Sequence, residues 1–103
     1  MKGEPAMASY VTLINFTERG LKDIKDTCKR AAEFKAHGKK HGIEVKEQWW
    51  CLGAYDGLIL FDAPDDETAT AAMLSLSSRD TVRTQTLRSF SATEMNKVLE
   101  KVK

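Results

Sequence analysis

Residues 48–61 read Gln-Trp-Trp-Cys-Leu-Gly-Ala-Tyr-Asp-Gly-Leu-Ile-Leu-Phe, and this stretch decides the fold. Two apolar runs flank a bend made of residues that are typical of turns. The second run is apolar on both faces, which predicts a central strand at 58–63. The first run belongs to a predicted strand at 43–52, in which Ile43, Val45, Glu47, Trp49 and Cys51 share one face, so that the adjacent tryptophans point to opposite faces. The bend therefore joins two neighbouring strands that need cover on both sides.

The bend itself has two alternative registers. Asp56-Gly57 is a typical two-residue hairpin sequence, because glycine accepts a positive φ. In the other register the bend lies at Gly53-Ala54, and Tyr55-Asp56 opens the third strand. A functional interpretation competes with both, in which Tyr55 donates a hydrogen bond and Asp56 is a general base or polar anchor.

The rest of the chain supplies two more strands and several helices. Strands are predicted at 9–16 and 82–90 from their β-branched and aromatic residues. Helices are predicted at 18–40 with a kink near 26–27, at about 65–78, and after Ser91, which begins a capping box with Glu94. The order β-α-β-β-α-β with a terminal helix predicts an α+β fold, the ferredoxin-like βαββαβ plait with a four-stranded antiparallel sheet.

Length, charge and composition indicate one ordinary globular domain. We expect a flexible tail at 1–7 and a single domain at 8–103. Basic and acidic residues are interleaved and sum to +1, which argues against nucleic-acid and membrane-surface partners. No apolar run approaches the roughly 20 residues of a membrane span, and the start does not resemble a secretory signal, so a cytoplasmic protein is expected.

One face of the predicted sheet has no helix to cover it. The helices of this plait lie on one side of the sheet, yet the third strand is apolar on both faces and the second carries a tryptophan on each. A single copy would expose a large apolar patch, which monomers avoid. The sequence therefore predicts a homodimer in which two sheets pack face to face.

Four segments of the chain resemble the GYD domain family. They are Tyr10 to Thr17, Leu52-Gly53-Ala54-Tyr55-Asp56 (similar to the Gly-x-Tyr-Asp signature), 63–67 and 82–90. The resemblance runs from about Ala8 to Val102 and implies a dimeric α/β-barrel related to the small plait monooxygenases, without an established reaction. Gly57 departs from the pattern, which has an apolar residue there, and we expect it to loosen the start of the third strand.

The candidate site residues lie around the bend. Asp56 is the candidate base, and Tyr55 with Arg88 would hold an oxyanion. A small apolar or aromatic ligand would bind to a wall formed by Trp49, Trp50 and Asn15.

Arg88 and the histidines have simpler interpretations as well. An arginine on a covered strand face needs a carboxylate, and Asp56, Asp62 or a ligand could supply it. His37 and His41 are spaced i, i+4, as in some zinc sites, but no third ligand is near in sequence. We therefore predict no metal and no cofactor.

Three functions stay open at this stage, and the sequence does not decide whether the protein is an enzyme. The first is a small-molecule-binding or accessory homo-oligomer. The second is a cofactor-independent oxygenase or isomerase that acts on an activated phenol or quinone, with Asp56 as base. The third is a purely structural oligomer-forming protein. An enclosed cavity facing the Asp56 carboxylate would favour catalysis, whereas backbone hydrogen bonds to that carboxylate would favour a structural role.

Overall fold

The computed structural model describes residues 7–103, which form strands and helices in the predicted order. The strands are β1 (Ala8–Phe16), β2 (Glu44–Trp50), β3 (Gly57–Ala63) and β4 (Val82–Ser89), and the helices are α1 (Glu18–Lys22), α2 (Thr27–Lys40), α3 (Asp66–Ser77) and α4 (Ala92–Leu99). One antiparallel sheet has the strand order β2-β3-β1-β4. The α+β plait with a C-terminal helix is thus confirmed. Apart from Met7, the predicted tail lies outside the described residues.

The first helical region is broken where a kink was predicted. Helix α1 ends at Lys22, a single 3-10 turn spans Ile24–Asp26, and α2 follows at once. Thr17 caps α1 by accepting a hydrogen bond from the Gly20 amide at 3.1 Å. A side chain at position 20 would place its Cβ 2.1 Å from the carbonyl oxygen of Thr81. Helix α1 therefore packs so close to this carbonyl that only glycine fits at position 20.

The core lies between the sheet and the helices α2 and α3. Its most deeply buried large side chains are Phe61, Ile43 and Thr12. The Thr12 hydroxyl hydrogen-bonds Thr86 at 2.8 Å and also contacts the Met73 sulfur at 3.1 Å, so its polarity is satisfied inside the core. The burial of this single face fixes which side of each strand points inward.

A β-bulge changes the expected alternation of β2. Val45 pairs with the buried Phe61, whereas Glu47 pairs with Leu60 on the other face, because the extra residue Lys46 interrupts the ladder. The prediction that Val45, Glu47 and Trp49 share one face is therefore wrong.

The face of the sheet opposite α2 and α3 is called the open face here. Register places six apolar side chains on it: Val11, Leu13, Trp49, Leu58, Leu60 and Leu87. All six are half-buried or exposed, and Trp49 is 59% exposed. The predicted apolar patch is therefore present on the single chain.

Candidate functional site

The loop 51–56 continues the sheet, because Asp56 is bonded to the last residues of β1. The Asp56 amide donates to the carbonyl of Ile14 at 2.8 Å. One carboxylate oxygen of Asp56 accepts a hydrogen bond from the Phe16 amide at 2.9 Å. Part of this carboxylate therefore holds the loop in place, which supports the structural interpretation of Asp56.

Pairing of the flanking strands decides the register of the bend. Trp50 pairs with Gly57, and the Cys51 amide donates to the Asp56 carbonyl at 2.8 Å, so the bend lies between these residues. Gly53, with φ of +139°, supplies the left-handed backbone. The hairpin register with Asp56-Gly57 at its centre is wrong.

Gly57 opens β3 as a buried residue instead of loosening it. A Cβ at this position would lie 2.9 Å from the carbonyl oxygen of Trp49 on the neighbouring strand. The departure from the family pattern therefore permits a close approach of β2 and β3.

Tyr55 and Asn15 also fasten the loop to the sheet. The Tyr55 hydroxyl donates to the side-chain oxygen of Gln85 at 3.2 Å, and Gln85 pairs with Leu13 on the open face. The Asn15 side chain donates to the carbonyl of Ala54 at 2.9 Å. Tyr55 therefore lies on the side of the open face, and the amide of Asn15 is engaged by the loop.

The two tryptophans separate as predicted, one to each face. The Trp50 indole donates to the Thr27 hydroxyl of α2 at 3.0 Å, whereas Trp49 pairs with Leu58 on the open face. Both remain partly exposed in the single chain, at 46% for Trp50 and 59% for Trp49. Neither is fully used in packing the monomer.

Arg88 lies far from the loop 51–56. It pairs with Tyr10 near one end of β1, whereas Asp56 is bonded at the other end beyond Ile14. Strand geometry puts these positions roughly 20 Å apart along the strand. The structure therefore brings Tyr55 and Asp56 together but does not bring Arg88 to them.

Arg88 also lacks the carboxylate partner that was expected. Among residues 7–103 its guanidinium forms no ion pair; it donates to the backbone carbonyls of Ser9 and Ser89 and lies over two aromatic rings. The guanidinium carbon is 4.5 Å from the centre of the Phe90 ring and 5.6 Å from that of Tyr10. The expectation of an ion pair failed because β4 is an outer strand and leaves this side chain exposed.

A narrow cavity lies between α2 and the sheet, beside Asp56. Ile14, Phe34, Trp50 and Ile59 contribute to its mostly apolar lining. Its volume is about 70 Å³. Sites for drug-sized molecules usually measure about 300–1,000 Å³, so a phenol or quinone would fit only if α2 moved away from the sheet.

Sequence reasoning missed one polar pair on the helix side of the sheet. The Tyr10 hydroxyl donates to the Asp66 carboxylate at 2.5 Å, and the Tyr10 side chain is only 4% exposed. Burial, followed by this hydrogen bond, raises the pKa of Tyr10 to about 12. A tyrosine at an inward position of β1 was the only local signal, since the fold alone brings Asp66 to it.

The described residues offer neither a metal site nor a membrane-spanning helix. Within 7–103, no group of three or more His, Cys, Asp or Glu side chains could hold a metal ion. The rings of His37 and His41 lie 4.6 Å apart, centre to centre. No helix in the same range is long and apolar enough to cross a bilayer.

Comparison with known proteins gives two matches and one absence. A protein of Thermus thermophilus named "Glutamine synthetase and cystathionine beta-lyase binding protein" is 29% identical over 90 residues, which cover 86% of this chain and 95% of the relative. No solved structure matches the chain significantly. The GYD domain profile matches residues 10–99, and the chain therefore belongs to the GYD domain family.

Proposed function

We propose that the protein is an accessory module that binds other proteins and works as a homodimer joined through its open face. The observation that carries this proposal is the uncovered apolar surface of the sheet. Leu13, Leu58 and Trp49 form a continuous row across three strands. Monomeric proteins rarely leave a contiguous apolar patch of this kind exposed to water.

A second copy is a suitable cover for this surface because the open face has few charges at its centre. Leu58 and Leu60 lie on the central strand β3, while Asp62 and Glu47 stand toward the rim. An apolar centre with a polar rim is the usual anatomy of a protein interface. Two-fold packing of identical faces would bury the leucines and leave the carboxylates in water.

Light scattering on the purified chain tests the dimer. We expect a mass of twice 11.5 kDa at micromolar concentration. Leu58→Glu should raise the dissociation constant of the dimer at least about 100-fold, because a charge would be buried without a partner. Leu74→Glu is the matched control, since Leu74 is 66% exposed on α3, away from the open face. A monomeric wild type, or equal effects of the two variants, would contradict the proposal.

The likeness to the Thermus thermophilus relative supports a protein partner for this chain. That relative is named for binding glutamine synthetase and cystathionine beta-lyase. We infer that this chain binds an enzyme of amino-acid metabolism. Biolayer interferometry tests the inference by measuring whether this chain binds purified glutamine synthetase and cystathionine beta-lyase from its own source organism. The absence of binding to both at micromolar concentration would argue against these enzymes as partners.

We place this function in the cytoplasm. Cys28 and Cys51 are both free and exposed. Exposed thiols of this kind persist in a reducing compartment. Fractionation of cells that express the tagged chain tests the assignment.

A second candidate function uses the cavity beside Asp56. Asp56, Trp49 and Trp50 all line it, so three of the predicted site residues meet at one place. We propose that a ligand there would contact the free carboxylate oxygen of Asp56, which could act as its base or anchor. Native mass spectrometry of the purified protein tests this. A bound small molecule that is lost in Asp56→Asn would support it, and a ligand-free wild type would count against it.

A further inference from the structure

Helix α4 is an amphipathic helix that contributes no residue to the core of the described chain. It begins with a complete capping box, in which the Glu94 amide donates to the Ser91 hydroxyl at 3.1 Å and the Ser91 amide donates to Glu94 at 2.9 Å. None of its residues is buried, and none belongs to the core. The helix is therefore well specified locally but has little to hold it against its own domain.

One side of α4 is apolar. Met95 and Leu99 are neighbours on one helical face and are 43% and 52% exposed, and Val102, just beyond the end of the helix, is 68% exposed. Val98 lies between them on the same side. A stripe of this kind normally packs against another element.

We propose that α4 of one copy packs against the β2 side of the open face of a second copy, beside the partner's Trp49. The inference rests on the proposed dimer and deepens it by naming the element that completes the interface. Two independent observations, area and charge, favour a second copy as the occupant.

Area is the first observation. Four strands spaced about 4.8 Å apart and about 25 Å long offer a flat face of roughly 500 Å². A stable pair of proteins usually buries about 800 Å² on each partner. A helix of this length is about 12 Å long and 10 Å wide. Because the sheet area beneath each helix is already counted in the flat face, two exchanged helices would add about 120 Å² per copy and supply less than half of the difference.

Charge is the second observation. The β2 side of the open face carries Glu44, Glu47 and Asp62 against Lys46 alone, which leaves two negative charges. The last part of α4 and the residues after it carry three lysines, Lys97, Lys101 and Lys103, against one glutamate, Glu100, which leaves two positive charges. The C-terminal end of α4 and the segment after it are therefore complementary in charge to this surface, while the helix as a whole, with Glu94 and Lys97, is neutral and supplies the apolar contact.

Two measurements on α4 variants test whether α4 packs against the open face of the second copy. In the wild-type chain, Met95→Glu with Leu99→Glu should weaken the dimer at least about tenfold, which is about 1.4 kcal/mol. Thr93→Glu adds a negative charge on the opposite side of the helix and should change the dissociation constant less than twofold. Circular dichroism melts establish that all variants are folded, which we expect because α4 contributes nothing to the core.

Trp49 fluorescence reports where the helix packs. In a Trp50→Phe background Trp49 is the single tryptophan, and acrylamide should quench it about threefold more strongly after the Met95→Glu and Leu99→Glu changes. If these variants change neither the affinity of the dimer nor the quenching of Trp49, α4 does not pack on the partner. The proposed dimer through the open face would then still stand. Trp49 protection that persists at concentrations where the chain is monomeric would also overturn the packing of α4 on the partner, because the helix would then cover its own sheet. A monomeric wild type would overturn both proposals.

Discussion

The two sides of the sheet are built from the same strands, but α2 and α3 cover only one of them. On β3, Ile59 and Phe61 face α2 and α3 and are 5% and 0% exposed, whereas Leu58 and Leu60, which alternate with them, remain half-buried. Both sets are equally apolar in sequence. The side that the helices cover holds the fold together, and the open face is the surface through which we propose that the folded chain associates.

Alanine substitutions at neighbouring residues of β3 should show the largest difference between the two faces. Phe61→Ala should lower the free energy of unfolding by about 4 kcal/mol, because it removes a fully buried ring from a small core. Leu60→Ala should cost the monomer only about 1 kcal/mol, since its side chain is already half in water. Urea titrations at submicromolar concentration, where association is weakest, measure both values.

The same pair of variants separates folding from association. We expect Leu60→Ala to weaken the dimer while a folded Phe61→Ala fraction retains it. Similar losses of unfolding free energy in the two variants at submicromolar concentration would show that the two faces are equivalent in the monomer, against the comparison drawn here.

The sequence predicted the fold well because both periodicity and capping are local signals. The kink before Thr27 and the capping box at Ser91 are both present in the structure. The β2 bulge at Lys46 was missed because a single inserted residue leaves no mark on the composition of a strand. Alternation alone therefore assigned the right faces to the two tryptophans but the wrong face to half of the strand.

The candidate site was less predictable because its geometry depends on contacts between distant residues. Tyr55 and Asp56 are adjacent in sequence, yet Tyr55 reaches Gln85 on the open face and Asp56 bonds the end of β1. Arg88 was grouped with them by strand-face reasoning, but its position along β4 places it at the other end of β1. Register, which no local pattern specifies, decides such distances.

Substitutions in the loop 51–56 should have a smaller effect, which separates its anchor to β1 from its contact with the open face. Asp56→Ala should lower the unfolding free energy by about 2 kcal/mol, because it leaves the Phe16 amide without its charged acceptor. Asp56→Asn should recover most of this loss, since its amide oxygen can accept the same bond. Tyr55→Phe removes an exposed bond to Gln85 and should cost less than about 0.5 kcal/mol. Thermal melts rank the three variants, and a larger loss in Tyr55→Phe would reverse the assignment of the loop's anchor.

Alkaline pH probes the covered side through Tyr10. Burial and the hydrogen bond to Asp66 raise the pKa of Tyr10 to about 12, against an ordinary value of 10.0. The folded chain therefore holds this proton more tightly than the unfolded chain, so the associated stability is present below pH 10 and is lost as the pH rises from 10 to 12. Urea titrations across this range should show a smaller decline for Tyr10→Phe than for wild type. Equal declines would mean that the hydroxyl titrates as it does in the unfolded chain.

Two hydroxyl caps give the smallest effect and the finest test of the comparison. Thr17 caps α1, which is fixed to the sheet by the Thr17 amide and the close packing of Gly20, so Thr17→Ala should lower the global unfolding free energy by about 1 kcal/mol. Ser91 caps α4, and no residue of α4 is buried or belongs to the core. Ser91→Ala should therefore fray α4 and increase amide hydrogen exchange there, while changing the global unfolding free energy of the monomer by less than about 0.3 kcal/mol. If the exchanged helix completes the dimer, the same variant should weaken association at concentrations where Thr17→Ala does not, because only the α4 cap then lies at the interface.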